Sequence, residues 1–185
     1  MVFQLMTTSC GHGFAAVAAN DSITLPPITR VVQSSNKAYS FRIFTADNWR
    51  TPFPQGVLTT GSNAKLPLAW RGKLPQHYGP RYVLVTSTGE VILVDGWLNT
   101  KPTPAIAILF GGKGSWLSFE FEAVARSLGV PLSLLAEKAR LGSWWISGKP
   151  YLDTSETRLL IPAGGKTLVV DLRRQTLGSQ WLEAR

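Results

Sequence analysis

Up to residue 110 the pattern of apolar and polar positions is dominated by strands. "ITRVV" (Ile28–Val32) and "YSFRIF" (Tyr39–Phe44) both alternate apolar with polar side chains, which predicts half-buried strands. Phe41 and Phe44 fall on opposite faces of such a strand, so at least one belongs to the core. "NWRTPFPQG" reads as a loop, because Pro52 and Pro54 cannot donate to a ladder. "GVLTTGSNAKLPLAWRGKLPQHYGP" reads as short strand pieces broken by Gly, Pro and Asn. In "RYVLVTSTGEVILVDGW" two apolar arms, Tyr82–Thr86 and Val91–Asp95, flank a glycine-containing turn and predict a hairpin. "TPAIAILF" ends in a continuous apolar run, as expected of a strand covered on both faces. A second hairpin is predicted from "TRLLIP", a turn at "AGGK", and "TLVVDL". No internal repeat is visible.

Between these hairpins the period changes to that of a helix. Leu117, Phe121, Val124, Ala125 and Leu128 share one helical face, with Ser118 as the expected N-cap and Glu120 and Glu122 in the first turn. Gly129 ends that helix. Pro131 opens a second one, which buries Leu132, Leu135, Ala136 and Ala139 and stops at Gly142. Ala125, Gly129 and Leu135, with Val124, Leu128 and Val130 as packing residues and the following hairpin as a wing, resemble the helix-turn-helix of excisionase-like regulators. That resemblance implies DNA reading by the second helix. Its outward positions would be Pro131, Leu132, Ser133 and Glu137, which give a major groove few donors, and Lys138 stands where an apolar packing residue is expected. The pair is read as two helices folded against a sheet.

The fold class expected is therefore α+β: a mainly antiparallel sheet or partial β-barrel, with a short helix pair inserted before a C-terminal hairpin. Residues 1–21 read as a near-neutral N-terminal tail and residues 22–185 as a single β-rich domain. Within it 22–115 are mostly strands, 116–142 the helix pair, and 143–185 the hairpin and C-terminal segment. The tail lacks the basic start and apolar run of a signal peptide, and no stretch approaches the ~18 apolar residues of a spanning helix, so no membrane partner is expected. Cys10 is the only cysteine, which rules out an intramolecular disulfide and fits a cytoplasmic setting.

Charge then singles out one region. The net charge is +8, and Ser22–Arg81 holds eight bases against one acid, Asp47. The bases interleave with aromatics, the combination that single-stranded nucleic acid or an acidic protein surface requires. Arg42, Trp49, Arg50, Lys65, Trp70, Arg71, Lys73 and Arg81 are the expected partner-binding residues. Trp49 and Trp70, in the two "WR" pairs, are expected to be partly exposed anchors.

Chemistry is sparse by comparison. "FGGKGS" and "AGGKT" lack the first glycine of a phosphate-binding loop, and His12 and His77 have no metal-ligand spacing. Asp95, at the end of a strand before Gly96, is a possible active-site acid, although a hairpin end explains it more simply. No cofactor, metal or catalytic residue is expected. The reading is a non-enzymatic binding protein whose basic N-terminal half engages an acidic partner, with RNA or single-stranded DNA slightly favoured. A protein-binding assembly or regulatory adaptor is the alternative, and an enzyme without a local motif the third.

Overall fold

The computed structural model describes residues 24–61, 67–97, 104–111, 114–133 and 145–181. Twelve strands form three four-stranded antiparallel meanders. The first sheet is β1 (Thr29–Gln33), β2 (Tyr39–Phe44), β3 (Gln55–Thr60) and β4 (Leu68–Lys73). The second is β5 (Pro80–Val85), β6 (Val91–Gly96), β7 (Ile106–Leu109) and β8 (Trp116–Phe119). The third is β9 (Tyr151–Leu152), β10 (Arg158–Ala163), β11 (Lys166–Asp171) and β12 (Thr176–Trp181). Each lies in chain order, and none of the three closes into a barrel.

The second sheet lies between the other two, and its alternation shows how. Val91, Leu93, Ala107 and Leu109 share one face and pack with Phe41, Ile43, Leu58 and Trp70 of the first sheet. Ile92, Val94, Ile106 and Ile108 share the opposite face and pack with Leu159, Ile161, Leu168 and Val170 of the third. Both faces of β6 and β7 are therefore core, which is why "VILV" and "IAIL" show no polar alternation.

The first hairpins of the three sheets turn in related ways, the second with a loop one residue shorter. In all three, the opening residue donates across the loop: Ser34 N–H to Tyr39 O, Thr86 N–H to Glu90 O, and Asp153 N–H to Arg158 O, each at 3.0 Å. Three residues on, Lys37, Gly89 and Glu156 take the left-handed conformation, with φ of 58°, 93° and 52°. A side-chain oxygen of the opening residue accepts a returning backbone N–H: Tyr39 on Ser34 at 3.0 Å, Glu90 on Thr86 at 2.9 Å, and Thr157 on Asp153 at 2.8 Å. The chain thus repeats one four-stranded unit three times. Ser, Thr and Asp fill the same role, so the repeat escapes residue-by-residue inspection.

These tips also touch. Glu156 accepts the Ser35 hydroxyl at 2.9 Å on one carboxylate oxygen and the Ser87 N–H at 2.5 Å on the other. Asn36 Nδ2 donates to Ser87 O at 3.2 Å. One glutamate so ties the three sheets together at one end of the stack.

Helix α1 (Phe121–Leu128) buries Val124, Ala125 and Leu128 and ends at Gly129, with φ of 69°. Its start corrects the expectation. Leu117 and Ser118 belong to β8, where Leu117 pairs with Ile108, and Glu120 occupies the N-cap position without a side-chain cap. Of the apolar stripe only Leu117 is strand, because its spacing of four from Phe121 fits both periods. Helix α1 packs beside β12, with Ser179 donating its hydroxyl to Ser127 O and Lys166 Nζ donating to Leu128 O at 2.6 Å. Most of the second expected helix, including Leu135, Ala136 and Ala139, lies outside the described residues.

Candidate functional site

The outward face of the first sheet is built by register. Arg42 pairs with Val31 on one side and Val57 on the other, and Val57 pairs with Arg71. The row Val31–Arg42–Val57–Arg71 therefore points away from the core, with both arginines exposed. Strand spacing puts the two arginine backbones about 10 Å apart. The next row is Thr29–Phe44–Gln55–Lys73. Strands β1–β4 contain no carboxylate, so nothing on them neutralises these cations. The Arg42 guanidinium lies 5.0 Å from the Phe44 ring centroid, and Lys73 Nζ 5.9 Å from that of Phe53. Phe53, 46% exposed, stacks edge-on against His77 at 4.7 Å. Val31 and Leu68 add exposed apolar area, at 58% and 61%.

Arg42, Arg71 and Lys73 thus share one face. Arg50 is exposed in the loop after β2, where its N–H donates to Asp47 O at 3.3 Å. Asp47, the one acid of this stretch, accepts the Thr51 N–H and the Thr45 hydroxyl, both at 2.9 Å. Lys65 lies outside the described residues.

The tryptophans correct the sequence reading, since both are buried. Trp70 is 9% exposed, because Arg71 beside it points outward and alternation sends Trp70 in. Its ring covers Gly56 and Gly72, where an added Cβ would come within 2.9 Å and 2.7 Å of it, and it meets Trp116 edge-on at 5.4 Å. Trp49 is 7% exposed and donates its indole N–H to Pro26 O at 2.8 Å. Neither offers a free face to a base. Phe44 and Phe53 belong to the interleaved aromatics but were not singled out as site residues, and Val57 was not read as part of an open face. Alternation within β2 and β3 was the available signal, but the pairing that aligns them was not readable.

Arg81 faces inward to a different site. Its Nε lies 3.1 Å from Asp95 Oδ2, too far off line to count as a hydrogen bond, and its Nη2 donates to Trp97 O at 3.3 Å. Asp95 is fully buried and takes the left-handed conformation, with φ of 59°. Trp145 donates its indole N–H to Asp95 Oδ1 at 3.1 Å. Burial raises the Asp95 pKa to about 6, against the pull of the Trp145 hydrogen bond and then the Arg81 charge. Arg30 caps the same corner, donating to Pro80 O at 2.6 Å and Arg81 O at 3.2 Å, and burial lowers its pKa. Buried Gln76 donates to Pro104 O at 3.0 Å, while its Oε1 has no partner among the described residues. Arg81 and Arg30 therefore bind the chain's own carbonyls and carboxylate. Such a carboxyl could exchange a proton near neutrality, but its complete cover makes it a joint between β5, β6 and the segment carrying Trp145.

Among the described residues no group of three or more His, Cys, Asp or Glu side chains could hold a metal, and no helix is long and apolar enough to cross a membrane. No protein-family model, curated protein or solved structure matches the chain.

Proposed function

We propose that this is a non-enzymatic binding protein whose first sheet presents its open face to single-stranded RNA or DNA. One observation supports it above the others: Arg42 and Arg71 flank Val57, with Lys73 one row along, on a sheet free of carboxylates. Three cations on a rigid sheet meet successive phosphates without ordering a flexible segment. Exposed Phe53 and the guanidinium of Arg42 are the surfaces on which a base would stack, in place of the buried tryptophans. Arg50 at the adjoining loop adds to the same field. The single cysteine suits a cytoplasmic setting.

An acidic protein segment is the second reading, supported by exposed Val31 and Leu68 among the cations. Titration with a single-stranded oligonucleotide at several salt concentrations separates the two. Nucleic-acid binding gives an affinity that falls steeply and log-linearly with salt. Absence of binding at low salt removes that reading. One protein complex surviving nuclease treatment would then identify the adaptor.

A further inference from the structure

We infer that the outward face of the third sheet docks a second copy of this chain, forming a two-fold homodimer. The row Tyr151–Leu160–Val169–Gly178 crosses all four strands of that face without a charge. Tyr151, 50% exposed, stands at one end. Gly178 lies at the other, in a shallow depression of about 240 Å³ also lined by Val169, Asp171, Thr176 and Gln180. One row along, Arg158 pairs with Asp171.

This pattern is self-complementary. A two-fold axis in the interface, parallel to the strands and between β10 and β11, exchanges the two ends of every row. Tyr151 then enters the depression over Gly178 of the second copy, Leu160 meets Val169, and Arg158 meets Asp171. Apolar area is covered and each buried charge finds its opposite. The second sheet shows the same solution within one chain, since a sheet covers each of its faces. The first sheet is a poor partner for itself, because the same operation would bury Arg42, Arg71 and Lys73 against Val57, Val31 and Thr29, with no carboxylate on its strands to pair them. A face of this size lies at the small end of specific interfaces, so the dimer is reversible and of micromolar or weaker affinity.

Sedimentation equilibrium of the nuclease-treated full chain, taken up to roughly 0.5 mM to reach such an affinity, tests this. Wild type should show a monomer–dimer equilibrium that tightens as salt screens the +8 net charge. That trend is opposite to the one for nucleic-acid binding, so the two readings fail separately. Gly178→Val fills the depression, and a Cβ there meets nothing within 4 Å among the described residues, so the fold should be kept. Gly178→Val and Tyr151→Ser should each weaken dimerisation at least roughly tenfold, as loss of a buried aromatic anchor does, with unchanged thermal midpoints at concentrations where wild type is monomeric. Mixing the two variants restores one tyrosine in one depression and should give a heterodimer tighter than either homodimer. Wild type that remains monomeric at the highest concentration overturns the inference. A dimer indifferent to both substitutions does so equally.

Discussion

The first and third sheets end the same stack, share the same hairpin turn, and send comparable apolar rows into the core, yet their outward faces differ. Across the first sheet the central row alternates apolar and cationic, Val31–Arg42–Val57–Arg71. Across the third it is Tyr151–Leu160–Val169–Gly178, with no charge. Backbone and core are repeated, and the solvent-facing alternate positions are where the copies diverge. Those positions do not constrain folding, so they are free to carry function. The difference teaches that the basic half is one sheet face rather than a general property of the N-terminal region, since Arg30 and Arg81 belong to the same stretch and serve a buried joint.

The strongest test separates the two sides of the first sheet. Trp70→Ala leaves a hole against Phe41 and Trp116 and should cost about 3–5 kcal/mol of stability in urea denaturation. Oligonucleotide affinity of the folded fraction should be unchanged. A large loss of affinity with intact stability would put Trp70 on the binding face and break the comparison.

Next in size is the joint at Asp95. The folded protein holds its proton up to about pH 6, whereas the unfolded chain releases it near 3.8, the ordinary value of an aspartate. Between those values the native state binds more protons, so stability falls as pH rises from about 4 to 6, by up to about 3 kcal/mol, and then levels off. Asp95→Asn keeps a side chain that tolerates positive φ and should flatten this slope in denaturation measured across that range. Neither outer face should respond.

Removing the arginines comes third. Arg42→Ala with Arg71→Ala should lower affinity for a single strand by one to two orders of magnitude at low salt and reduce the salt slope by about 1.5. Arg158→Glu on the third sheet should leave that slope unchanged. Equal responses from both faces would mean that net charge, not the first sheet, draws the ligand.

The smallest effect concerns the junction. Glu156→Gln keeps one acceptor for Ser35 or Ser87 and should cost roughly 0.5–1.5 kcal/mol, the usual worth of a partly exposed hydrogen bond. Hydrogen exchange at the three hairpin tips should rise together.

Much of this architecture was legible in the chain. Alternation located β2 residue for residue, the hairpins at Val91 and Lys166 follow from their turns, and the run "IAIL" announced a strand buried on both sides. Gly129 stopped its helix where a left-handed residue was needed. Period alone could not place Leu117, because strand and helix both fit it. The repeat was hidden because the turn depends on a side-chain acceptor and a positive φ, which Ser34, Thr86 and Asp153 and then Lys37, Gly89 and Glu156 supply with different residues. At the site, the basic residues read from the sequence as one group divide between two places in the structure. Arg42 and Arg71 were separable from Arg81 only once strand pairing set Arg81 beside Asp95. The tryptophans were misjudged because exposure was inferred from neighbouring loops, when the outward arginine next to Trp70 already required it to point in.

The middle position of the second sheet has a consequence for synthesis. The ribosome delivers the first two sheets before the third, and Phe41, Leu58 and Trp70 can cover one face of β6 and β7 at once. The other face, Ile92, Val94, Ile106 and Ile108, shares its core with Val124, Ala125 and Leu128 of α1, but its cover is incomplete until Leu159 to Val170 emerge, some fifty to sixty residues later, or several seconds at ordinary elongation rates. For that interval the nascent chain carries a flat aliphatic surface in water, the kind that chaperones hold and that aggregates when they do not.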